Sequence, residues 1–491
     1  MGAMRPASRM RPVELVDDAD DRGPPTGGSS LHGDGPGAAG PGDPPTSSGP
    51  QPSGRRWWPW LLGVLVVVLA AGALATAATE RAATARADAF ARFEGVVRPL
   101  DEAPVVRWRA AADGPTPVMT SGGAIVTVTD DEGPWVVRSS DPATGDLRWR
   151  AEVTESPGAG FESVAVACVG HPDPAALLLC LWDEPNVVYG GAGESTPYVP
   201  PTHVLALAPD DGTRRGTWEV TGPLLGALRH DDDVVVATAL PDRRVLVERR
   251  AGTDGTVRWS WASPGPLVDD GGLRAAPDLR LAGDVVALVA VSTVLIDVDD
   301  GRVLEDGPPG RQILVSALPD GGFATWTSGL AGQLRDADGG VRATAPGLPA
   351  SPVGDRSVDA LLVDAGSQVL GVRAADGTTA WSLPTSMSPV AVADGVVVLA
   401  GEASVGAVDG ADGRLLWERD LVVTPRASPL TDALHVLVAE HEGPDRTTLV
   451  ARGLRDGVEA WRVPLPEGVR TVTAAGGHVV ARTASEVLVL G

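Results

Sequence analysis

The chain holds two cysteines, Cys168 and Cys180, in the stretch VACVGHPDPAALLLCLW. No CxxC is present, so a thioredoxin-type redox motif or a zinc ribbon has no support. The cysteines fall on two apolar runs separated by GHPDPA, and a hairpin turning near Pro174 would set them opposite each other. They then form a disulfide, which suits an oxidising exterior, or remain two buried thiols. Of the seven histidines, His435 and His441 lie nearest in sequence, and there is no HExxH and no G-x-S-x-G. The acidic stretches DVDDG (297–301) and DDD (231–233) could attract Ca²⁺, but no loop has an EF-hand ligand series with its closing Glu. All 40 basic residues are Arg, which excludes a Walker A loop and a Schiff-base lysine. No catalytic, cofactor-binding or metal-binding residue is assigned, and no cofactor is expected.

The Asp-rich stretches belong to a repeat, which a search for internal periodicity should find first. After residue 100 a short apolar strand leads into an Asp-Gly turn, and a Trp usually follows. The copies read DPATGDLRW (141–149), APDDGTRRGTW (208–218), AGTDGTVRW (251–259), DVDDGRVLE (297–305), DADGGVRAT (336–344), AADGTTAW (374–381), DGADGRLLW (409–417) and LRDGVEAW (454–461). Asp and Gly tolerate the left-handed backbone of a tight turn. One Trp per unit buries much area and can wedge between neighbouring sheets. Six tryptophans hold the repeat position: Trp149, Trp218, Trp259, Trp381, Trp417 and Trp461. Trp108, in VVRWRAA, matches the same outer strand without its turn.

Between copies lie short alternating strands, as in SPVAVADGVVVLAGEASVGAVD (388–409). Four short antiparallel strands per unit describe an all-β β-propeller over residues 104–491. The end of the chain, VRTVTAAGGHVVARTASEVLVLG, supplies three strands, and the strand around Trp108 supplies a fourth that closes the ring. A literal count gives nine blades.

The A-x-D-x-x-T/D-G-x-x-x-W pattern resembles the pyrroloquinoline-quinone-type repeat of quinoprotein alcohol dehydrogenases and of the propeller lipoprotein of outer-membrane protein assembly. The resemblance implies eight blades, the number adopted here, with nine as the alternative. The dehydrogenases of that family have a vicinal-cysteine disulfide beside the quinone and a calcium or lanthanide site with a catalytic Asp. No Cys-Cys pair occurs here. The repeat therefore transfers a fold and not an activity.

Upstream, residues 1–56 are rich in Gly, Pro, Ser and Asp and form an expected disordered cytoplasmic tail. Residues 57–79, WWPWLLGVLVVVLAAGALATAAT, are uncharged and long enough for one transmembrane helix. Arg55 and Arg56 precede it, with Trp57, Trp58 and Trp60 at the interface. Residues 80–103 make a juxtamembrane stalk. The propeller is then expected outside a single-pass cell-membrane anchor, since long domains translocate largely regardless of charge. The missing Lys and the scarcity of residues with AT-rich codons indicate a GC-rich coding sequence, as in actinobacteria.

Net charge is −24 and the excess sits in residues 101–491, with 54 acidic and 30 basic residues. Such a domain lacks the basic footprint of a nucleic-acid binder. The expected role is a non-catalytic scaffold that binds a protein or an envelope ligand on a propeller face. The insertion at 183–202, DEPNVVYGGAGESTPYVPPT, is the candidate recognition loop and holds both tyrosines, Tyr189 and Tyr198. Two alternatives are an envelope-acting enzyme with channel carboxylates (or a degenerate quinoprotein) and a sensor subunit that couples the ectodomain to the tail.

Overall fold

The computed structural model describes residues 95–491, apart from 112–117, 131–133, 155–165, 172, 184–186, 190–194, 198–200, 269–276, 422–427 and 442–445. The chain divides into two units, Met1–Ala71 and Gly72–Gly491, and the second holds every described residue. The tail, the expected membrane helix and residues 80–94 of the stalk lie outside the described residues. Among the described residues, no helix is long and apolar enough to cross a membrane.

The strands form a nine-bladed propeller of antiparallel sheets. The literal strand count therefore holds, and the eight blades implied by family resemblance are corrected to nine. Blade 1 runs from Met119–Ser121 to Leu147–Thr154 and blade 2 from Ala167–Val169 to Arg214–Val220. Blade 3 spans Leu224–His230 to Val257–Ala262, blade 4 Asp278–Ala282 to Val303–Asp306, and blade 5 Ile313–Ala317 to Val341–Ala345. Blade 6 has only three strands, Ala360–Asp364, Gln368–Arg373 and Thr379–Pro384. Blades 7 and 8 span Ser388–Ala393 to Leu415–Asp420 and Leu430–Thr431 to Glu459–Pro464. Blade 9 joins Thr471–Ala475, His478–Arg482 and Glu486–Leu490 to the distant strand Val106–Ala111.

The sequence patterns explain the layering. A middle strand packs against neighbouring blades on both faces, so it reads as a continuous apolar run. Val285–Val289 is buried at every position. An outer strand has one wet face and alternates, as Val106–Ala111 does. The ring closes where Val106–Ala111 pairs with Glu486–Leu490, which covers the edge that strand would otherwise present.

Six of the seven repeat tryptophans join their blade to the next. The Trp149 indole N–H donates to the Pro209 carbonyl at 2.9 Å, Trp218 to Gly252 at 2.9 Å and Trp259 to Val298 at 2.7 Å. Trp381 reaches Gly410 at 3.1 Å, Trp417 reaches Leu454 at 2.9 Å, and Trp108 reaches Pro142 at 2.9 Å across the closure. The ring lies on the turn glycine of the next blade. At Gly457 (φ +64°) an added Cβ would fall 2.6 Å from the Trp417 ring. The glycine thus provides both the positive φ and the flat seat.

The Asp side chains fix these turns. Asp141 Oδ1 accepts the Ala143 and Thr144 N–H groups, and Arg148 donates to Oδ2 at 2.7 Å. The Arg148 guanidinium, helped by those two amides, holds the Asp141 carboxyl down at about 2. In DVDDG, Asp297 and Asp300 accept the Asp299 and Arg302 amides, so these carboxylates are engaged in turn formation.

Two junctions lack the device. Glu305 and Ala343 occupy the register position that Trp259 has in blade 3. At the blade 4–5 junction Leu304 approaches Gly339 instead, and Glu305 forms an ion pair with Arg335 at 2.7 Å, without hydrogen-bond angles. Both partners are largely withdrawn from solvent, so removing one leaves the other poorly solvated. Arg335→Ala is expected to lower stability by about 1–3 kcal/mol, as for breaking a partly buried pair. Denaturant unfolding checks this, and a change near zero would assign the junction to Leu304 alone.

Candidate functional site

Blade 2 holds the cysteines. Cys168 and Cys180 are a directly opposed pair between strands Ala167–Val169 and Leu178–Asp183, and they are joined by a disulfide. Both are buried within the blade core, so the bridge is a staple and not an accessible redox site.

The insertion interrupts the same blade between Leu178–Asp183 and Thr202–Leu207. The sequence suggests a loop here, but the structure contains a hairpin: Val187–Tyr189 pairs with Ser195–Pro197, Tyr189 opposite Ser195. Tyr189 ends its strand, and Tyr198 lies outside the described residues. The hairpin's base is built firmly. Trp182 stacks on His203 with centroids 5.0 Å apart and planes at 16°. The Thr202 hydroxyl donates to the Asp183 carboxylate, and the His203 ring lies 3.4 Å from Glu219.

The face opposite this hairpin carries the Asp-Gly turns. There the chain joins the ring. Val96 bridges Thr431 in parallel, the Val97 N–H donates to the Thr431 carbonyl at 3.1 Å, and the Arg98 N–H donates to Gly477 at 2.8 Å. Leu100 is held twice: its N–H donates to Asp432 Oδ2 at 3.0 Å, and its carbonyl accepts the Trp461 indole at 3.1 Å. Residues 96–100, assigned to the stalk from sequence, are therefore built into the ring between blades 8 and 9.

Asp432 is fully buried. Its Oδ1 also accepts the Leu434 and His435 amides, at 2.9 and 2.6 Å, and its Oδ2 lies 3.0 Å from His435 Nδ1. That contact raises the His435 pKa above the ordinary histidine value, against the opposing pull of burial. His435 and His441 begin and end one strand, about 20 Å apart at ~3.3 Å per residue, so they form no site together.

Carboxylates are scarce around the channel. Among the described inner strands the only acidic residue is Asp278, half-exposed and paired with Arg280 at 3.1 Å. Asp231, Asp232 and Asp233 are engaged individually. The Asp231 carbonyl accepts from Arg229, the Asp232 side chain accepts the Leu177 amide, and Asp233 meets Arg249 at 2.8 Å. Among the described residues no three His, Cys, Asp or Glu side chains gather as metal ligands would.

A cavity of about 590 Å³ opens on the turn face beside blade 6. Its walls are mainly apolar, from Pro319, Pro349, Pro352, Val353, Val358 and Leu361. Pro349 and Pro352 give the sequence signal for it, because prolines do not continue a ladder strand.

Fold and site together define a β-propeller whose blades are locked by tryptophans seated on turn glycines. Residues 401–490, from the middle of blade 7 to the closing blade, match the family described as outer membrane protein assembly factor BamB. No curated protein matches the chain. Among solved structures, BamB from Moraxella catarrhalis is 13% identical over 79% of this chain and 99% of its own, with a TM-score of 0.39. Quinohemoprotein alcohol dehydrogenase ADHIIG from Pseudomonas putida HK5 is 13% identical over 81% and 78%, with a TM-score of 0.41. The C-terminal WD40 domain of Sif2 is 8% identical over 80% and 99%, with a TM-score of 0.40. At these values no activity is carried over from them.

Proposed function

We propose that this chain is a non-catalytic, membrane-anchored scaffold whose extracytoplasmic propeller binds a protein or envelope ligand through the face bearing the insertion hairpin. The observation that carries this reading is the division of labour between faces. The turn face receives the incoming chain at Val96–Leu100, while the hairpin Val187–Tyr189/Ser195–Pro197 rises from the opposite face. The turn face is thus partly covered by the chain's own residues 96–100, which leaves the hairpin face for a partner. The uncharged run 57–79 supports the anchor, and the disulfide suits an oxidising compartment. Interfaces favour aromatic residues, and both tyrosines of the chain lie in the insertion. The repeat's Asp, Gly and Trp residues are occupied in turns and blade junctions, which favours a binding role over catalysis.

Deleting residues 185–200 tests the proposal. Membranes containing native or deleted chain would be crosslinked and the captured partners identified by mass spectrometry. Loss of at least one partner is expected, whereas an unchanged set would refute recognition through the hairpin.

A further inference from the structure

Blade 3 carries a second tryptophan on its outer strand, in the stretch VRWSWASPGP (257–266). Trp261 lies two residues beyond the repeat position, on the same side of the strand as Trp259. None of the other eight blades has an aromatic residue there. The repeat tryptophans spend their indole N–H on a neighbouring carbonyl, but Trp261 makes no hydrogen bond among the described residues. It packs only partly into the core between blades 3 and 4, and its remaining surface faces a cavity of about 370 Å³.

The cavity opens on the hairpin face. Its wall includes Ser292, in the turn between Val285–Val289 and Thr293–Asp297. In blade 2 the insertion hairpin occupies that same place, between the second and third strands. The rest of the wall comes from the ends of two outer strands, with Pro264 and Pro266 on one side and Asp306 and Pro308 on the other. Both loops are tied down. The buried Ser263 hydroxyl donates to the Gly265 carbonyl at 2.7 Å and accepts the Val245 N–H at 3.0 Å. The Gly307 and Gly310 amides donate to Thr293 and Val291 at 2.9 and 2.8 Å. A ligand therefore meets a shape that is already set.

Three polar groups of the wall are left over. Ser292 is only 4% exposed, yet its hydroxyl has no hydrogen-bond partner among the described residues. Buried polar groups are nearly always paired, so such a hydroxyl points to a ligand. The Asp306 carboxylate is exposed and has no partner among the described residues either. The indole N–H of Trp261 can only donate, and an ionised Asp306 can only accept. A cation would satisfy Asp306 and leave the indole without an acceptor. An anion would satisfy the indole and meet Asp306 as a like charge. A ligand hydroxyl both donates and accepts, so a ring bearing several hydroxyls suits all three groups. Its C–H face fits the apolar remainder, Trp261 and the prolines. A peptide is the weaker fit, because prolines lack the N–H that pairs with an extended backbone.

We infer that this pocket binds one ring of a neutral saccharide, resting on the reading of the hairpin face as the face that binds. Trp261 is the platform and donor, Asp306 the acceptor, and Ser292 the group at the floor. The cavity volume lies within the range of small-ligand sites.

The test uses the full chain in lipid nanodiscs prepared without glycolipid or sugar detergent. Free hexoses and pentoses, and oligosaccharides of the same units, are screened by saturation-transfer NMR and titrated by calorimetry. The two sets separate a soluble sugar from a unit of a polymer. Blocked tripeptides are titrated in parallel. Binding of a neutral saccharide is expected, with affinity lowered about tenfold in Asp306→Asn and again in Trp261→Phe, which keeps the apolar ring and loses the donor. Asp306 has no partner among the described residues, so Asp306→Asn should melt at the native temperature and still bind worse. Deleting residues 185–200 should leave the saccharide bound. An unchanged partner set after that deletion, with saccharide binding intact, would fail the hairpin and leave this pocket standing. Absence of binding by every saccharide would overturn the inference. So would full affinity in both Asp306→Asn and Trp261→Phe, or binding of the tripeptides in place of the sugars.

Discussion

Trp417→Ala is expected to lower the stability of the propeller by about 3–5 kcal/mol, the range for removing a large buried aromatic side chain. The ring is 6% exposed and packs with Val405, Val436 and Leu454 at the blade 7–8 junction. Its removal empties the seat on Gly457 and leaves the Leu454 carbonyl without the indole donor. Trp417→Phe keeps most of the apolar contact and loses the hydrogen bond, so it should cost about 1–2 kcal/mol. Gly457→Ala attacks the same junction from the other side, since φ there is +64° and the new methyl would meet the ring. Denaturant unfolding of the three variants decides the matter. A Trp417→Ala loss below about 1 kcal/mol would mean that the junction is held by the strands' own packing and not by the docked ring.

Asp432→Ala should be comparably severe, at about 3–5 kcal/mol, because it strips a buried hydrogen-bonding carboxylate from every donor around it. Three backbone amides, those of Leu100, Leu434 and His435, lose their acceptor, and the His435 ring loses its partner. The Leu100 contact holds the incoming segment, so proteolysis before residue 105 should accelerate in the variant. Native cleavage rates at that position would count against the tether. The pair also gives a signed pH dependence. The folded pKa of His435 is raised, so its stabilising contribution is complete below the unfolded value of about 6.5 and disappears as pH rises through the folded value. The charges of Asp101 and Asp456 act in the same direction. Melting temperatures of native and His435→Gln chains should therefore differ most at acidic pH and converge on the alkaline side. A constant difference across that range would remove His435 titration as the cause.

Much of the architecture is legible in the residues. The Asp-Gly turns, the Trp positions and the strand that closes the ring follow from local chemistry, which acts over a few residues and leaves a periodic trace. Blade number is less local. Each junction contributes a small angle that depends on side-chain widths, so family resemblance pointed to eight while the plain count of strands gave nine. The other differences have identifiable causes. The strands Val187–Tyr189 and Ser195–Pro197 are too short to show a period-two pattern, so the insertion reads as a loop. The prolines at 349 and 352 hint at the missing fourth strand of blade 6, but not at where the chain runs instead. Glu305 looks like a missing Trp. Only the fold brings Arg335 beside it. The buried cluster at Asp432 joins residues 332 positions apart, and no spacing in the sequence reports it.

The closing strand has a consequence for biosynthesis. Arg107 and Gly491, which meet through a 2.7 Å hydrogen bond at the closure, are 384 residues apart in the chain. At a synthesis rate of about 5–20 residues per second, the first strand waits roughly 20–80 s for its partner. Throughout that interval a bare strand edge is available to any other extended chain. The blades between can assemble with their neighbours as they emerge, but the ring cannot close until the strand Glu486–Leu490 has been made. The vulnerable species during production is therefore an open arc with two unsatisfied ends, and conditions that slow delivery of the final blade should favour pairing between chains over closure within one.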